Sequence, residues 1–167
     1  MSPLESLIER YAAGINALIH ATSLLPPEKW RTRVAPGIWS IAEVVAHMID
    51  SDLVDADRIK RVIAEDEPKL AAYDESLWLE RLRSDQASVE DALALFTANR
   101  RWMLRILRAC TEADFRRVGW HTERGRMTLA EIVVGNVSHL DHHLRFLYGK
   151  RANLGLSLQP LYSYPTL

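Results

Sequence analysis

Two histidines carry the clearest chemical signal in the chain: His139 and His143, four residues apart within Met127 to Gly149. On a helical wheel of roughly 100° per residue, Leu129, Ile132, Val133, Asn136, Leu140, His143, Leu144 and Leu147 share one face. His139 stands at the edge of that face, and Asp141 and His142 point towards solvent. Imidazoles beside a core stripe cost stability unless their polar atoms are satisfied. The i, i+4 spacing puts both rings on one side of a helix, close enough to ligate a single ion. A third ligand would have to come from elsewhere in the fold. The alternative is two structural histidines bonded to carbonyls or carboxylates.

The elements that must position these rings are helical. Thr128 and Glu131 form a capping box that starts the last helix, and Gly149 marks its stop. A second capping box, Ser40 and Glu43, opens a helix whose apolar face runs from Ile41 to Ile63, with His47 on its shoulder. Asp50, Asp52, Asp55 and Asp57 follow and read mostly as solvent-facing; Asp50 or Ser51 can reach the ring of His47. A first helix spans Leu4 to Ser23, where Gly14 marks a close helix contact and His20 reads as a solvated side chain. Pro26 and Pro27 end it. A third runs from Ser88 to about Cys110, with Cys110 a buried core residue rather than a nucleophile.

Between the helices, Trp30 and Trp39 anchor a connector or line a pocket. Glu65 to Asp85, with Pro68 and a short helix near Leu77 to Arg83, is longer than a usual bundle connection and invites a functional reading. His121 falls in the connector Thr111 to Arg126, as an exposed loop histidine or an acid–base group at the mouth of a site. The tail Arg151 to Leu167, with Tyr162 and Tyr164, wraps the bundle or a partner subunit. No segment shows strand alternation with hairpin turns. The expected fold is all-α: one four-helix bundle with long connectors over residues 1–167, the last 150–167 forming the tail.

The chain has 167 residues, 48% apolar and 26% charged, enough for one domain with a proper core. A net charge of -1 without a basic cluster speaks against nucleic acid as a partner. A single cysteine precludes an internal disulfide, and no apolar run is of membrane-spanning length. These features lead to the expectation of a soluble cytoplasmic protein.

Taken together, these residues resemble the DinB/YfiT-like superfamily of four-helix metalloenzymes. The matching features are Trp39-Ser40-Ile41 before a helix bearing His47, a turn with Gly125, Met127, Thr128 and Leu129, and a last helix bearing His139 and His143. The resemblance covers nearly the whole chain and implies that His47, His139 and His143 bind one divalent cation. It also implies a homodimer, and a small-molecule substrate that includes low-molecular-weight thiols in some members.

Three neutral imidazoles leave a divalent ion with an open position, suited to acidifying water or a thiol. Zinc, nickel and iron all accept imidazole. Asn136 and Asp50 are candidates to hold the ligands' other ring nitrogens. No Ser-His-Asp or Cys-His nucleophile set and no phosphate-binding glycine loop is legible, so no catalytic residue is assigned. The expected function is a metal-dependent hydrolase or thiol S-transferase. The competing reading is a non-catalytic metal-binding bundle, stress-associated or partner-binding.

Overall fold

The structure, a computed structural model, describes residues 2–163. Four long helices form the bundle: α1 (Pro3–Thr22), α2 (Ile41–Ala64), α4 (Val89–Leu107) and α6 (Leu129–Asn153). Each begins where a side chain caps the free backbone N–H groups. Ser2, Ser40 and Thr128 close full capping boxes with Glu5, Glu43 and Glu131, and Ser88 caps α4. The helices neighbour one another around a ring: α2 packs on α4 and α6, and α1 on the same two. Consecutive α1 and α2 therefore stand across the diagonal of the bundle. The last helix does not stop at Gly149 but continues to Asn153. Lys150 and Arg151 of that extra turn are buried: Lys150 Nζ donates to the Trp39 carbonyl and Arg151 Nη1 to the carbonyls of Ala21 and Ser23.

The connectors hold strands that the lack of alternation in the sequence does not predict. β1 (Lys69–Leu70), β2 (Val118–His121) and β3 (Gly125–Thr128) form a small sheet in the order β1-β2-β3, the first pair parallel and the second antiparallel. Strands this short carry no alternation, and they form because the α2–α4 crossover is laid against a hairpin. Gly125 has φ +72°, a value that favours glycine, and lets the hairpin turn back. β3 then runs directly into the Thr128 cap of α6. The short helix α3 (Glu75–Arg81) lies in the crossover, and the single turn α5 (Glu112–Phe115) precedes β2.

The core has two apolar halves, one around Leu18, Val45 and Leu144, the other around Ile59, Leu107 and Leu129. A charged layer lies between them. Arg100 is 1% exposed and Asp52 2%, so the expectation that the α2 carboxylates face solvent fails for Asp52. Arg100 Nε and Nη2 reach Asp52 Oδ1 at 2.9 and 2.8 Å, Nη1 donates to the Tyr11 carbonyl and Nη2 to Asn136 Oδ1. The guanidinium lies between the rings of Tyr11 and Phe96. Gly14 gives it room, since a Cβ there would strike Arg100 Nη1 and Leu140.

Asp141 is buried as well, and its carboxylate accepts from the backbone N–H of Ser163. The tail packs on its own bundle through Leu154, Leu156, Leu158 and Tyr162, and Tyr148 Oη holds the backbone of Leu161. Tyr164 of that tail lies outside the described residues. Cys110 sits just beyond α4, half-buried, with its thiol donating to the Ile106 carbonyl; burial raises its pKa. No helix among the described residues is long and apolar enough to cross a membrane.

Candidate metal centre

His47 comes from the second turn of α2, and His139 and His143 from successive turns of α6. Because α2 and α6 are neighbours, the three rings meet. Their Nε2 atoms form a triangle with sides of 3.2 Å (47–139), 3.1 Å (47–143) and 3.0 Å (139–143). His47 and His143 are buried and His139 is half-buried. The ring of Trp39 lies 5.3 Å from that of His47, so this tryptophan walls the site.

No assignment of protons satisfies this triangle by hydrogen bonding. A neutral imidazole nitrogen is either a donor or an acceptor. Three atoms in mutual contact cannot alternate between two roles, so at least one pair must clash. A cation facing three lone pairs removes the conflict. The spacing also fits one: imidazole–metal bonds of about 2.0–2.1 Å place neighbouring nitrogens roughly 2.8 to 3.4 Å apart, from octahedral to tetrahedral arrangements. The residues present thus fit a divalent ion, which supplies Lewis acidity when bound.

Burial keeps the rings ready for that role. It lowers His47 to a pKa of about 4, assisted by His139, and His143 to about 3, assisted by His139 and His47; it lowers His139 as well. Proton competition for a metal is therefore expected below the ordinary histidine value of ~6.5. The same shifts set a pH dependence on the metal-free fold. Unfolded histidines take up protons below about 6.5 while folded His47 and His143 resist until about 4 and 3, so protons favour the unfolded chain in that window. Stability should be level above pH 7 and fall towards pH 4, by roughly 3 kcal/mol for His47 alone at 1.36 kcal/mol per pKa unit. Urea unfolding of chelator-treated protein at pH 7 and pH 4.5 measures it; equal stabilities would contradict the burial of neutral rings.

The ring nitrogens opposite the triangle are not held as expected. His143 Nδ1 is buried with no hydrogen-bond partner. Asn136 binds Arg100, Asp52 and Asp55 instead, with its Nδ2 3.2 Å from an oxygen of each carboxylate. Asp50 forms no hydrogen bond with His47 among the described residues, and the Ser51 hydroxyl bonds Tyr73 Oη. His142 is exposed, and His20 contacts the Gln159 carbonyl.

A cleft of about 370 Å³ opens beside His139, between α2, α6, the crossover and the hairpin. His121 lines it from the end of β2, buried rather than exposed in a loop. Its Nδ1 accepts the backbone N–H groups of Glu123 and Arg124, both at 3.2 Å, which places its proton on Nε2. Burial, Arg58 and Arg124 lower its pKa, so it stands in the cleft wall as a neutral N–H donor. Sequence reasoning missed Tyr73, Asp55, Arg58 and Glu75, which also line the cleft. Glu75 Oε2 lies 3.5 Å from His47 Nε2. The only prior signal for Tyr73 and Glu75 was the unusual length of their connector.

The architecture defines a class: an all-α bundle whose two capped helices bring three imidazole nitrogens to one point at the end of a polar cleft. The chain belongs to the DinB superfamily, whose family model matches residues 10–147. It is 28% identical over 142 residues to the "Putative metal-dependent hydrolase YfiT" of Bacillus subtilis (strain 168), covering 84% of this chain and 79% of that one. A protein of Oceanobacillus iheyensis with the same description is 30% identical over 118 residues, 70% of this chain and 67% of the relative. The solved structure titled "YfiT from Bacillus subtilis is a probable metal-dependent hydrolase with an unusual four-helix bundle topology" matches with a TM-score of 0.86 at 25% identity, covering 94% of this chain and 91% of that one. The bundle topology expected from the sequence is thus the one this structure shares.

Proposed function

We propose that this chain is a divalent-metal-dependent hydrolase in which His47, His139 and His143 hold the ion through Nε2 and the adjoining cleft receives a small-molecule substrate. The observation that carries this reading is the triangle of Nε2 atoms 3.0–3.2 Å apart, which no proton arrangement satisfies. The relatives' description as metal-dependent hydrolases supports the choice of water as the nucleophile. His121 Nε2–H and the Tyr73 hydroxyl are among the polar groups that the cleft offers for orienting a substrate, beside Asp55 and Arg58. The Trp39 ring beside His47 gives the site an apolar wall. A low-molecular-weight thiol taken in place of water would turn the same site to S-transfer.

Zinc-, nickel- and iron-loaded protein, the chelator-stripped protein and His139→Ala are assayed against ester, amide and phosphoester substrates, and against a thiol with an electrophile. The expected result is turnover of one hydrolysable class that needs the metal and is lost in the variant. Turnover only in the thiol arm would replace hydrolysis by S-transfer. Equal rates with and without metal would contradict both.

A further inference from the structure

We infer that Glu75 is a fourth protein donor to the ion, adding one carboxylate to the three imidazoles of a five- or six-coordinate ion that keeps a position for water; this rests on the metal reading proposed above. Glu75 is the first residue of α3, in the crossover between α2 and α4. Its Oε2 lies 3.5 Å from His47 Nε2, and no Arg or Lys among the described residues pairs with it. The neighbouring carboxylate is engaged elsewhere: Asp74 caps α3, accepting from the Leu77 N–H at 2.8 Å. The two adjacent acids therefore divide their work, one holding the helix and the other facing His47.

The placement of Glu75 is built by several contacts rather than left to a loose loop. β1 pairs with β2, and the Ala72 N–H donates to Thr122 Oγ1 at 2.9 Å. Tyr73 Oη bonds Ser51, one turn beyond His47 on α2, and the Tyr73 ring packs on Trp78 at 4.5 Å. These contacts fix the backbone on both sides of Glu75, while its side chain, 54% exposed, remains free to turn. A carboxylate oxygen is a hard, anionic donor that zinc, nickel and iron accept beside imidazole. It halves the net charge of a dication held by neutral rings, which three histidines alone leave uncompensated. The role is that of a ligand, and it gives the long crossover a function: it carries to the site a donor that α2 and α6 lack.

The test uses the full chain and its wild-type, Glu75→Gln, Asp74→Asn and His139→Ala forms. Zn²⁺ affinity is measured by competition with a chromophoric chelator, and Co²⁺ coordination by its visible absorption bands. Glu75→Gln is expected to weaken Zn²⁺ binding by about tenfold or more, since loss of even an outer-sphere partner commonly costs that much. It should also shift the Co²⁺ bands. Asp74→Asn keeps the cap and removes a charge one residue away, so it should change neither. Unchanged affinity or unchanged bands in Glu75→Gln overturns the inference, as does equal weakening in Asp74→Asn, which would reveal a through-space charge effect. If His139→Ala loses zinc while Glu75→Gln does not, only this inference falls. If His139→Ala binds zinc like the wild type, the three-histidine reading itself fails.

Discussion

Replacing His139 by Ala is expected to weaken divalent-metal binding by roughly a hundredfold or more, and His47→Ala and His143→Ala should do the same. Each removes one of three Nε2 donors that meet at 3.0–3.2 Å, and changes outside the ligand set already cost about 10–100-fold. The controls lie close by. His142 has its ring 5.2 Å from that of His143 but stands exposed outside the triangle, and His20 contacts the backbone of Gln159. Substituting either by Ala should leave affinity within about twofold, the scale of a surface change. Metal analysis and titration of the five single variants, purified without an affinity tag, measure this. Loss of the metal in His142→Ala with retention in His47→Ala would show that the site is elsewhere.

Arg100→Ala should destabilise the fold by about 3–5 kcal/mol, because it leaves the carboxylate of Asp52 buried without its cation. The loss includes the donors to the Tyr11 carbonyl and Asn136 and the packing between the Tyr11 and Phe96 rings. Asn99 Nδ2 still donates to Asp52 Oδ2 at 2.7 Å, which is too little to compensate a buried charge. Asn136 belongs to this layer and lies one turn before His139, so the network fixes α2, α4 and α6 at the level of the triad. Urea unfolding of the metal-free protein at pH 7 gives the number directly. A loss below about 1 kcal/mol would mean that the charged layer is not the structural joint between the two halves of the core.

All four helices were legible from stripes of period near 3.6, and two of them also from a capping box. Ser40 with Glu43 and Thr128 with Glu131 place the starts of α2 and α6, and those starts fix which turns carry His47, His139 and His143. The end of α6 was not legible: an exposed Gly149 continues a helix whose last turn is held by Lys150 and Arg151 reaching distant carbonyls. The charged layer escaped for a related reason. Asp52 looks like one of a solvated acidic run until Arg100 is placed opposite it. Yet Arg100 sits within the stripe of Phe96, Met103 and Leu107, and Asn136 within that of Ile132, Val133 and Leu140. A complementary polar residue in each of three apolar faces was a readable sign of a buried network.

The sheet and the cleft depend on contacts far apart in the chain. β1 has two residues and pairs with β2 about fifty positions later, a match without local signature. His121 is brought into the cleft that His139 lines, and Glu75 to His47, by the crossover and the hairpin, so sequence alone places the three histidines on α2 and α6 and leaves the cleft unread.

Anomalous diffraction from crystals of the zinc-loaded wild-type chain, recorded on both sides of the zinc absorption edge, tests the central claim most directly. The account predicts one strong peak bounded by the Nε2 atoms of His47, His139 and His143, at about 2.0–2.1 Å from each. A peak elsewhere on the chain, or none at that triangle in protein shown to be loaded, would contradict it.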